Sequence, residues 1–257
     1  MKTNTIIKQQ ARQMLKGNRV PIISGFIIVI LALMAVVYTQ NTLLYAFDQI
    51  DENGMPYEKF NITMLAVAAG SAFVLALLSP LLNGSVRLCA NLTRNGTVST
   101  GEMFYYFQSF ALYAKTVLLN FVIFWFYTIL STLLSPYHYA SALMNVRLED
   151  TNPGEPQWWI LTALFVVSVA FGIVIYTVVV QFPLLVYAFE PQRGVVGSTF
   201  ALWPFFFRNL GNMLSLMCSF LGWLLLCFFV VPALYVVPYY TVASADAVKW
   251  MLRAQNP

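Results

Sequence analysis

Charge is what this sequence has least of. Only 9% of its 257 residues are Asp, Glu, Lys or Arg, against roughly 25% in ordinary globular domains. Five stretches carry none at all: 20–47, 60–86, 116–146, 156–189 and 209–245. A helix rises ~1.5 Å per residue and the hydrocarbon core is ~30 Å thick, so each stretch can cross a bilayer. That excludes a water-soluble domain and predicts an all-α polytopic membrane protein. Histidine is nearly absent too. The single His138 stands between Tyr137 and Tyr139 in a polar connection, with no carboxylate or cysteine cluster beside it, and makes a poor catalytic or metal-binding candidate. The three cysteines, Cys89, Cys218 and Cys227, are odd in number and unpaired in spacing, and read as small membrane hydrophobes. No metal site and no cofactor is expected. The net charge of +4 is small, and nucleic acid is not an expected partner.

What is present is 60% hydrophobic residues and an ordered placement of the few charges. Lys2, Lys8, Arg12, Lys16 and Arg19 precede the first apolar run with no acid among them, so that end is expected on the cytoplasmic side. Asp48, Asp51, Glu52 and Glu58 follow the run, around an Asn53-Gly54 turn, and belong outside. Arg87, Arg94 and Lys115 mark the next connection as inner, Glu149, Asp150 and Glu155 the next as outer, and Arg193 and Arg208 the next as inner. The inner segments then hold ten of fourteen basic residues, and the two outer loops seven of ten acids. The final 37-residue run is too long for one comfortable crossing. Pro232 and Pro238, each removing a helix hydrogen bond, offer a break, and Lys249 and Arg253 favour a cytoplasmic C-terminus. The expectation is a single integral membrane domain over 1–257. Its basic leader is 1–20 and its six spans are about 22–45, 62–82, 116–134, 158–187, 210–229 and 233–248, with both termini cytoplasmic.

Three inner segments share a design in which a short amphipathic stretch and a basic residue lead into a span. The first sets Ile6, Ile7, Ala11, Met14 and Leu15 against Lys8, Arg12 and Lys16, a helix able to lie at headgroup depth. Its basic side, Lys8, Arg12, Lys16 and Arg19, is the candidate lipid-surface patch. The second has Ser99 and Glu102 at capping-box spacing before Met103, Phe104, Phe107 and Phe110. The third is Thr199–Phe207 with its aromatics before Arg208. Arg19, Lys115 and Arg208 recur at 96 and 93 residues, which suggests three hairpin units, each with an interfacial helix.

Charged residues inside spans usually mark proton relays and ion coupling. Here only Lys115 and Asp246 come near span ends, and both are expected to reach an interface. The polar and proline punctuation is the remaining internal signal: Asn83-Gly84 after Pro80, Gln181 with Pro183, Asn209 and Asn212 around Gly211, and Pro232 with Pro238. Broken helices line transport sites in some proteins and merely kink bundles in others. Gln181, Asn209 and Asn212 are the candidate polar pathway.

Three segments carry a resemblance: Ala11-Arg-Gln-Met-Leu-Lys-Gly-Asn18, Ser219-Phe-Leu-Gly-Trp-Leu-Leu-Leu226 and Val237-Pro-Tyr-Tyr-Thr-Val-Ala-Ser-Ala245. In that order, over nearly the whole chain, the sequence resembles the bacterial integral membrane family called domain of unknown function 975. It departs from the family pattern in the loop 48–61 and at Lys249-Trp250. The resemblance implies a multi-pass bacterial cell-membrane protein and carries over no catalytic or binding residue. The layout is also similar to the membrane domain attached to some glycerophosphodiester phosphodiesterases, which implies a role near lipids. Two functions follow as expectations. One is a non-enzymatic envelope protein that associates with lipids or a partner membrane protein. The alternative is a permease or channel-like protein for a small solute.

Overall fold

The computed structural model describes residues 4–47, 62–144, 151–192, 203–225 and 230–255. Among them there is no strand. The elements in order are α1 (Asn4–Ala46), α2 (Ile62–Asn95), a 3-10 helix (Thr100–Phe107), α3 (Phe110–Leu133), α4 (Pro136–Met144), α5 (Pro156–Tyr176), a π-helix (Thr177–Gln181), α6 (Phe182–Phe189), α7 (Trp203–Leu225) and α8 (Val230–Gln255). The acidic loop 48–61, residues 145–150, the start of the third inner segment and the junction 226–229 lie outside the described residues.

Four segments are long and apolar enough to cross a membrane: α1, α2 from Ala69, α3, and the continuous run Pro156–Phe189. The all-α expectation and the compatibility with a membrane therefore hold, while the count differs from six. The reason lies in the last apolar run. Its junction 226–229 is not described, α7 carries Arg208, Asn209 and Asn212, and α8 carries Asp246, Lys249 and Arg253. Neither described half thereby holds a continuous stretch as apolar as those of the four.

The expected boundaries shift where local chemistry acts. The leader and first span merge into the single 43-residue α1. It is bent at Asn18 (φ −127°, ψ 23°), because Pro21 has no N–H and its ring crowds the carbonyl four residues earlier. The second span runs on through Pro80 to Asn95 and stops at Gly96, whose φ of 79° is the left-handed ending that glycine adopts freely. Ser109 starts α3 six residues before the expected 116, accepting a hydrogen bond from the Leu112 N–H at 3.3 Å. His138 is exposed on the short α4.

The core is one cluster through α1, α2, the 3-10 helix, α6 and α8, with residues of α3, the π-helix and α7 joining it. At its centre is α6, all eight of whose residues are buried, as an apolar helix without a polar face must be. Two cations stand at its C-terminal end, the negative end of the helix dipole: Arg87 Nη1 donates to Ala188 O at 3.2 Å, and Lys115 Nζ donates to Pro191 O, two residues past the helix, at 2.6 Å. Gly84 lets the 3-10 helix press against α2, since a Cβ there would stand 1.9 Å from Met103 O.

Candidate functional site

The leader is drawn into the bundle. Ile7, Ala11 and Leu15, one stripe of α1 at four-residue spacing, are buried. Asn4 Nδ2 donates to Ser215 Oγ at 2.8 Å, Lys8 Nζ donates to Ser219 O and stands 4.5 Å from the Phe220 ring centre, and Tyr239 OH donates to Lys8 O at 3.1 Å. Of the candidate surface cations, Lys8 is thus engaged by α7 and α8. Arg12, Lys16 and Arg19 are exposed; Arg12 and Lys16 share a helix face by their spacing, and Arg19 follows the bend. Asn18 fastens the bend: its Nδ2 donates to Met14 O and Gly96 O at 3.2 and 3.0 Å, and its Oδ1 accepts from the Val98 N–H at 3.3 Å.

In the second inner segment the Ser99 N–H donates to Glu102 Oε1 at 3.3 Å, and Asn91 Nδ2 donates to Glu102 Oε2. The helix that follows is 3-10, not α. Its three-residue period buries Met103 together with Tyr106 and leaves Phe104 and Phe107 exposed. Burial pushes the Tyr106 phenol up, so it stays protonated at neutral pH. Tyr106 stacks on Tyr187 at 5.4 Å, and Tyr187 OH shares a 3.0 Å hydrogen bond with Thr116 Oγ1.

Gln181 ends the π-helix, a form frequent at functional sites. The wider turn suits the sequence: the Phe182 N–H reaches back five residues to Thr177 O, and the following Pro183 has no N–H to place. Gln181 Nε2 donates to Ser244 Oγ at 3.0 Å and its Oε1 accepts from Tyr240 OH at 3.0 Å. Thr177 Oγ1 donates to Ile173 O at 2.9 Å and lies 3.2 Å from Met217 Sδ. Gln181, Thr177 and Tyr240 edge a cavity of about 560 Å³ whose remaining wall is mostly apolar, including Phe26, Leu82, Val86 and Leu185. Asn209 and Asn212, on α7, are half-buried and do not line it. The three residues of the candidate pathway are therefore not gathered around this cavity.

Three buried polar side chains were not singled out as site residues by sequence. Asp246, expected at an interface, is 4% exposed inside α8. Asn83 and Asn120 are each 1% exposed, with both amide atoms lacking a hydrogen-bond partner. Asn120 lines a cavity of about 450 Å³ between α1, α2 and α3, walled by Val29, Leu75, Ala76, Phe121 and Trp125 among others. The signal for it was its position, an amide in the middle of an apolar run. No protein-family model, curated protein or solved structure matches the chain.

Proposed function

We propose that this chain is a non-enzymatic protein of the bacterial cell membrane that holds lipid or a partner membrane protein without turnover. In this reading α7 and α8 are the fifth and sixth spans, at ~35 and ~39 Å both long enough to cross. Both termini then lie in the cytoplasm, and the chain is a member of the family it resembles, domain of unknown function 975. The observation that carries the reading is the engagement of Gln181. Donor and acceptor ends of its amide are both held by α8, and the cavity beside it is otherwise mostly apolar. A hydrated solute path needs polar groups turned towards it. The exposed Arg12, Lys16 and Arg19 add an electrostatic hold, each worth roughly 1 kcal/mol at an anionic surface.

Purified protein in liposomes is expected to show no saturable flux of small solutes and to retain bound lipid or a partner on gentle extraction. Flux that disappears in Gln181→Leu or Asn212→Leu would replace this reading with the permease. For the topology, a cysteine-free background with Gly54→Cys or Asp150→Cys should label from outside, and Asn95→Cys or Arg193→Cys should not. A C-terminal tag reached from outside would remove the last hairpin.

A further inference from the structure

We propose that the crevice between α1, α2 and α3 binds a long-chain fatty acid in its uncharged, protonated form, with Asn120 holding the carboxyl group. The inference deepens the lipid-holding function proposed above and rests on it. The first observation is Asn120 itself, 1% exposed with neither Oδ1 nor Nδ2 hydrogen-bonded. A buried amide left so is unfavourable until something supplies both a donor and an acceptor.

The second observation is the shape of the space beside it. The 450 Å³ cavity is flanked by Phe121 and Trp125, both more than half exposed on the bundle surface. Through the shared residues Ala32 and Leu78 it continues into a crevice of about 950 Å³ along α1 and α2 as far as Thr63. From Leu82 to Thr63 is ~28 Å of helix, over small residues such as Ala35, Ala66 and Gly70. The space is long and lined mostly by apolar side chains, which suits a hydrocarbon chain.

The third observation is chemical. No ionisable side chain lines either part, so a phospholipid headgroup would meet no counter-charge. Asn120 stands five residues, ~7.5 Å of helix, beyond Lys115 and is buried beside mostly apolar side chains. Such surroundings favour the protonated form of a carboxyl. A protonated carboxyl donates its O–H to Oδ1 and accepts from Nδ2, a paired contact that satisfies both idle atoms once the amide, covered in this structure, turns to the cavity that Asn120 lines.

The test uses the full chain in phosphatidylcholine nanodiscs, with dibromostearic acid as a quencher of Trp125 fluorescence. Saturable quenching is expected, absent in Trp125→Phe, about tenfold weaker in Asn120→Leu, and about tenfold weaker for the dibromostearic methyl ester. Binding should also fall as pH is raised. Asn120→Leu is expected to fold, since it removes an unpartnered polar group. Ala76→Phe, which fills the cavity and leaves Asn120 in place, is the second variant and should abolish quenching. Equal binding by Asn120→Leu, equal binding of the ester, or no saturable quenching overturns the proposal. So does a second copy or a partner helix cross-linking through position 125 in place of the fatty acid. Loss of fatty-acid binding with bound phospholipid still retained would sink this inference alone; saturable solute flux would sink the function beneath it.

Discussion

Where α1 meets the turn after α2, side chains meet protein; towards the other end of the same two helices many of them face outward. At the first, closed end stand Ile22, Leu88, Leu92, Met103 and Tyr106, all essentially without exposed surface. At the second, open end, Leu31, Met34 and Phe73 are each 60% exposed or more. The residues named at both ends are apolar, so side-chain hydrophobicity does not explain the difference. In lipid, burying a leucine against protein gains little over leaving it among acyl chains. Packing instead concentrates where backbones can approach closely, as at Gly84, and where polar groups need each other, as at Asn18, Gln181 and the cations on α6.

The largest effect is expected from Gly84→Ala. Its Cβ would strike the backbone at Met103 O, and a loss of about 3 kcal/mol follows in reversible detergent unfolding. Gly25→Ala is the matched control: its Cβ would stand 2.7 Å from Leu88 Cδ1, the movable end of a side chain, and should lose clearly less. If the two variants unfold alike, the closed end is not held by backbone approach. Next comes Asn18→Leu, which removes two hydrogen bonds between the bend and the turn at 96–98 and one to Met14 O within α1, at about 2 kcal/mol by the same measurement. Gln181→Leu should lose about 1 kcal/mol, in the range of interhelical hydrogen bonds within membranes. Smallest of all, Phe73→Ala at the open end should shift unfolding by less than about 0.5 kcal/mol. A loss there as large as that of Asn18→Leu would mean that the outward face is covered by protein, and the comparison of the two ends would fail.

The helical, membrane-compatible character was legible because a gap in charge needs no partner to be read. The span count was not, since the halves of the last run are diluted by Arg208, Asn209 and Asn212 on one side and Asp246, Lys249 and Arg253 on the other. The leader's stripe of Ile7, Ala11 and Leu15 was visible at four-residue spacing. What covers it was not, because α7 and α8 come some 200 residues later. The Ser99 and Glu102 pair marked a helix start correctly and left its type open. A four-residue period would group Met103 with Phe107, and the 3-10 period groups it with Tyr106. Gln181 stood beside Pro183, but its partners Ser244 and Tyr240 are set by tertiary packing. Asn120 has no proline or glycine beside it, so helix-breaking residues do not point to it.

The hydrogen bond from Tyr239 to the carbonyl of Lys8 joins residues 231 positions apart, and it sets an order of events during synthesis. A ribosome adding ~5–20 residues per second makes Tyr239 roughly 10–50 s after Lys8. Through that interval Ile7, Ala11 and Leu15 have no α8 to cover them. An amphipathic helix in that position rests at the lipid headgroups. The leader therefore gains its contacts with α8 only late in synthesis, and a chain halted before α8 lacks the hydrogen bond from Tyr239 to Lys8 O that fastens the leader in the finished bundle.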